Sequence, residues 1–150
     1  MANTRIQLEV EDWIRQKWLP QEFGQSFRPE KLRLDAGGVF DFDAVSTDNS
    51  IVASISTSNA STPGGKSGAG KLQKLRADML FLSMAEAKRR IIVLTERDMY
   101  DLCQKEKKSG RVPLSIEFAH AELPTDLAVQ LREAREVASR EVSPAKEKQS

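Results

Sequence analysis

VFDFDAVSTDNSIVASIST, residues 39–57, holds two strand patterns around a turn. Val39 to Val45 alternates apolar with acidic side chains, and Ile51 to Thr57 is a β-branched run. Thr47, Asp48, Asn49 and Ser50 between them are turn formers, so a hairpin is expected to join 39–46 with 51–57. A two-residue turn at Asp48 and Asn49 sets Asp43 opposite Ser54 and Asp41 opposite Ser56. Because strand side chains alternate, Asp41, Asp43, Ser54 and Ser56 are expected on one face, with Phe40, Phe42, Ile51 and Ile55 on the other.

Upstream, Leu32 and Leu34 alternate with charged neighbours and give a preceding strand, closed by Gly37 and Gly38. Val10, Ile14 and Trp18 recur every fourth residue with Trp13 beside them, which predicts an amphipathic helix over 6–19 ended by Pro20. Trp13 and Trp18 are expected as core anchors, and 20–30 as a connector. Downstream, SNASTPGGKSGAG (58–70) lacks any large apolar side chain and reads as a loop.

Leu72, Leu75, Met79 and Leu82 then keep helical spacing over 71–86, and RIIVLT (90–95) reads as a buried strand. Thr95 can cap a helix over 96–108, with a further strand at 115–119 and a last helix at 125–139. The expected class is α/β, in the order α-β-β-β-α-β followed by a short helix, a strand and a C-terminal helix. Residues 1–140 are expected to form a single domain and 141–150 a disordered tail.

Charged residues are 30% and hydrophobic residues 39% of the chain, a balance suited to a soluble folded domain. No apolar run approaches the roughly 20 residues a bilayer requires, and the N-terminal stretch lacks a signal-peptide pattern, so a cytoplasmic location is expected. One cysteine and one histidine cannot build a structural zinc site or an internal disulfide. Residues 64–111 carry 12 Lys/Arg against 6 Asp/Glu, so an anionic partner would be drawn there.

Two carboxylates on one pleated face, Asp43 and Asp41, could hold a hard divalent ion such as Mg²⁺; the alternative is a solvated hairpin face. The element order, with FDFDAV on the second strand and IVASIST on the third, resembles the PD-(D/E)XK nuclease-like superfamily over about residues 6–95. That resemblance implies a restriction-endonuclease-like fold, nucleic-acid binding, with DNA the expected partner, and Mg²⁺-dependent phosphodiester cleavage, with Asp43 matching the second-strand acid. Ser54 and Ser56 stand where the family carries an acid and a lysine. Either the motif is degenerate, or Asp41 supplies the second carboxylate while Lys71 or Lys74 supplies the cation.

GKSGAGK (65–71) matches a phosphate loop, but Leu72 follows where a Ser or Thr should hold Mg²⁺, so nucleotide binding is a lesser alternative. Lys66, Lys71, Lys74 and Arg76 are the expected contacts to a nucleic-acid backbone. A non-catalytic interaction subunit, in a homodimer or larger assembly, is the alternative from another class. A Cys103 and His120 dyad is formally available for nucleophilic chemistry, with burial the expected fate of Cys103.

Overall fold

Ile6, Val10 and Ile14 recur every fourth residue and all lie in the core of the computed structural model, which describes residues 2–60 and 69–149. That spacing is the period of α1 (Ala2–Trp13). The next fully buried side chain is Leu19, five positions on. A π turn at Ile14–Trp18 absorbs the extra residue, its Leu19 N–H donating to the Ile14 carbonyl, before α2 (Leu19–Phe23) continues.

Pro20 therefore does not end the helix as expected. It sits at the second position of α2, directly after the π turn, and the chain leaves at Gly24 with φ 72°. Leu19 takes the core position expected of Trp18, while Trp13 and Trp18 pack half-buried against the cluster.

β1 (Phe27–Arg33), β2 (Val39–Ser46) and β3 (Ile51–Ser56) form an antiparallel meander. α3 (Ala69–Ser83) leads to β4 (Arg89–Leu94), which is parallel to β3. α4 (Arg97–Lys108) leads to β5 (Ile116–His120), parallel to β4. The described residues thus build a mixed α/β fold on a five-stranded sheet in the order β1-β2-β3-β4-β5. α5 (Thr125–Gln149) follows and runs on through 141–149, the segment expected as a tail.

Helices cover both faces, which explains why β3 and β4 read as continuous apolar runs. One core gathers Phe42, Val45, Val52, Leu75, Met79, Ile92 and Cys103, under α3 and α4. The other gathers Ile6, Val10, Ala44, Ile51, Ile55, Val93 and Leu131, under α1 and α5. No helix among the described residues is long and apolar enough to cross a membrane.

The β2–β3 register follows the expected pairing, Ala44 with Ala53 and Val45 with Val52. The connection is longer than two residues: Thr47 to Ser50 lie outside the strands, and Asn49 takes the left-handed φ of 62°. Asp48 ties this turn by accepting from the Ser46 and Ser50 hydroxyls and the Ser50 N–H. Those bonds, the Ser50 ones foremost, lower its pKa to about 2.

The β1–β2 ladder carries a bulge. Arg28 pairs with Val45 and Glu30 with Phe42, so Asp43 and Ala44 together oppose the single residue Pro29. Proline has no N–H to give a rung, so the ladder loses little there. The extra residue breaks the alternation, and Phe42 and Val45, three apart, both enter the α3-side core.

The expected common face is consequently not formed. Phe40 and Phe42 pack on the α3 side, whereas Ile51 and Ile55 pack on the α1 side. Asp41, between the two phenylalanines, points away from them and is exposed. A second correction concerns α4: Glu96, not Thr95, occupies its N-cap position, and the Thr95 hydroxyl donates to the Glu96 carboxylate at 2.9 Å.

Candidate functional site

The bulge re-aims Asp43. Beyond the Ala44–Ala53 pair, β2 and β3 share no further paired residues, and the Asp43 side chain takes up the rung: its Oδ2 accepts the Ile55 N–H at 2.8 Å. The Asp43 carbonyl accepts from Arg15 Nε at 2.8 Å, and Arg15 also pairs with Asp12. Arg15 lies at the start of the π turn, one residue after the buried Ile14.

Two more carboxylates share this region, Glu11 from α1 and Asp78 from α3. Burial is the chief cause raising the pKa of Glu11, and of Asp78; the Asp43 charge comes next for each. Burial also raises the pKa of Asp43, against the lowering effects of the Ile55 N–H, Arg15 and Lys74. Lys74 opposes the shift at all three acids, yet it makes no ion pair with any of them among the described residues.

Here β3 ends in a cleft of about 130 Å³, lined by Gln7 and Glu11 of α1, Ser56 of β3, and Lys71, Lys74 and Asp78 of α3. The hydroxyl-bearing residues Thr57 and Ser58 complete its wall. Lys71 Nζ donates to Asn59 Oδ1 at 2.5 Å. Burial, then the charge of Arg135, holds the Lys71 ammonium below its usual pKa.

Of the residues expected from the sequence, Lys71 and Lys74 line the cleft, and Asp43 lies behind its wall, bonded to the lining residue Ile55 and within reach of the Lys74 charge. Asp41 does neither: it pairs across the ladder with Lys31 on the exposed β1–β2 ribbon and is not among the charges acting on Asp43. Arg76 is also turned elsewhere, to Glu106 of α4 at 2.7 Å. Glu106 is nearly buried and also takes a two-pronged contact from Arg111; these guanidinium bonds, those of Arg111 foremost, hold its pKa at about 2. Lys66 and most of the glycine-rich loop lie outside the described residues.

Glu11 and Asp78 escaped the sequence reading, although a signal existed. Gln7 and Glu11 are four apart, and Lys71, Lys74 and Asp78 keep three-and-four spacing, so each set shares a helix face beside an apolar stripe. Cys103 is buried, and burial foremost raises its thiol to about 11, the opposite of an activated nucleophile.

Hard oxygen donors of this kind suit Mg²⁺, and a cation beside them would oppose the burial that raises their pKa. Among the described residues no group of three or more acidic, histidine or cysteine side chains is arranged to hold a metal ion. Mg²⁺ asks for less, since it keeps several waters and is commonly held by one or two carboxylates plus substrate phosphate. Comparison with protein-family models, with curated proteins and with solved structures found no match to this chain.

Proposed function

We propose that this cleft is a Mg²⁺-dependent phosphodiesterase site acting on nucleic acid, carried on a divergent nuclease-like fold. The observation that supports it is a cleft at the end of β3 lined by Glu11, Asp78, Lys71 and Lys74, with Asp43 near enough for its charge to act on both of those acids. Burying like charges together costs stability, and such arrangements concentrate where chemistry needs them. A surface used only for packing would have no reason to keep them.

In this reading the third strand's Ser54 and Ser56 are compensated from the helices. Asp43, with Glu11 or Asp78, would hold the metal, and Lys74 on α3 supplies the ammonium that the strand lacks. When bound, Mg²⁺ neutralises phosphate charge and lowers the pKa of an attacking water. Lys74 pairs with the non-bridging oxygens of the scissile phosphate as negative charge builds on them. The Ser56 and Ser58 hydroxyls can donate to the same group, and Arg15, by holding the Asp43 carbonyl, keeps that carboxylate in its gap between the strands.

Incubating the protein with supercoiled plasmid and Mg²⁺ or Mn²⁺, beside Asp43→Ala and Lys74→Ala variants, tests this directly. Metal-dependent nicking lost in both variants is the expected result. Equal nicking by wild type and Asp43→Ala, or none under any metal, would overturn the reading.

A further inference from the structure

A second cavity, of about 180 Å³, adjoins the cleft where the chain leaves β3 and meets α5. It shares Gln7, Thr57, Ser58 and Lys71 with the cleft and adds Asn59 and Arg135. We propose that this cavity is a phosphate subsite, in which Lys71 and Arg135 hold a backbone phosphate next to the one engaged by Lys74. The proposal rests on the nuclease-like reading of the cleft and names the direction a bound strand takes, from α3 across to α5.

Both cations are fixed rather than waving in solvent. Arg135 Nη2 donates to the Thr57 carbonyl at 3.0 Å and lies 3.4 Å from Glu96 Oε1, which ties α5 to the exit of β3 and to the start of α4. Lys71 is held by the Asn59 amide oxygen at 2.5 Å. Burial first and the Arg135 charge second lower the Lys71 pKa, with Asp98 opposing them, so the ammonium is held beside a like charge at a cost.

An anion seated between them removes that cost and gains two charge-assisted hydrogen bonds. Gln7, Thr57, Ser58 and Asn59 add neutral side chains that can donate to phosphate oxygens, while Leu131, Ala134 and Ala138 form the apolar side of the cavity. Lys71 borders both cavities, so one side chain can bridge successive phosphates of a strand.

The test measures retention of a fluorescent oligonucleotide, single-stranded and duplex, by the full chain in Ca²⁺ across a salt series. Arg135→Gln should weaken binding several-fold for every sequence and lower the slope of log affinity against log salt by about one phosphate contact. Arg135→Lys should recover the slope, and Arg132→Gln, on the same helix but outside the cavity, should leave it unchanged. A slope for Arg135→Gln equal to wild type would overturn the subsite while leaving the cleavage result of Lys74→Ala to judge the cleft.

Inorganic phosphate, followed by thermal shift, provides the other arm. A phosphate-dependent rise in melting temperature that Arg135→Gln abolishes, in a protein that retains no oligonucleotide, would keep the anion site and overturn the nuclease reading. Neither retention nor a phosphate response would overturn both.

Discussion

The Asp43 carboxylate takes the place of a strand rung: its Oδ2 receives the Ile55 N–H at 2.8 Å where β2 and β3 have parted. A side chain doing a backbone's work is fixed in place without needing a partner charge, which leaves its chemistry available. Asparagine at this position keeps an acceptor for Ile55 and removes the desolvated charge. Asp43→Asn should therefore fold with a melting temperature equal to wild type or higher by up to about 3 °C. Metal-dependent cleavage should fall on the order of 100-fold or more. Thermal unfolding and plasmid nicking on the same preparation check both halves, and a variant that unfolds outright would contradict the account of the gap.

Proton linkage at this carboxylate has a definite sign. Its folded pKa is raised above 3.8, mainly by burial, so the unfolded chain ionises first as pH rises. Below about pH 3.8 both states are protonated and Asp43 carries no penalty. Above it the ionised group destabilises the fold, increasingly until the folded pKa is passed. The stability of Asp43→Asn relative to wild type should thus grow with pH from about 4 and then level off. Urea unfolding of both proteins at several pH values reads this difference, and a difference independent of pH would contradict it. Mg²⁺ should stabilise wild type at neutral pH and have little effect on Asp43→Asn.

Much of the fold was legible because its signals are local. Leu72, Leu75, Met79 and Leu82 give α3 by their spacing, and the Thr47–Ser50 turn fixes the β2–β3 register. What the sequence could not show depends on pairing across the sheet. Asp41 and Asp43 alternate perfectly in the sequence, yet with one extra residue opposite Pro29 only Asp43 turns its carboxylate to the Ile55 N–H of β3. Likewise the four-residue period of α1 pointed to Trp18, and the π turn moved the buried position to Leu19. Glu11 and Asp78 belong to two separate helices, far apart in the sequence. Only the tertiary fold brings them to β2.

Arg76 is committed to stability. Its guanidinium contacts Glu106 at 2.7 Å, and Glu106 is 6% exposed with Arg111 as its other partner. Arg76→Ala should lower the melting temperature while leaving oligonucleotide affinity and its salt slope within about a factor of two, in contrast to Lys74→Ala. Because Glu106 is held at about 2, below its ordinary 4.5, its stabilising contribution is present at neutral pH and is lost as pH falls from about 4.5 towards 2. Removing Arg76 should make that acid loss smaller. A salt slope reduced by Arg76→Ala as much as by Lys74→Ala would return Arg76 to the binding surface.

The π turn makes a prediction that tests the fold apart from any activity. Leu19 is fully buried with Val10, Ile14 and Phe27 although five positions, rather than four, separate it from Ile14, because the π turn absorbs the extra one. Leu19→Ala leaves a cavity in that cluster and should cost about 2–5 kcal/mol. Gln16 is exposed within the same turn, so Gln16→Ala should change stability by no more than about 0.5 kcal/mol. A regular α-helix over the same residues would carry Leu19 about 100° around the axis and out of the core. Deleting Gln16 removes the residue that the π turn absorbs and sets Leu19 four positions after Ile14, on the same face of a regular helix, so the deletion should cost less than Leu19→Ala. A deletion as damaging as Leu19→Ala in urea unfolding would show that the π turn does more than absorb one extra residue.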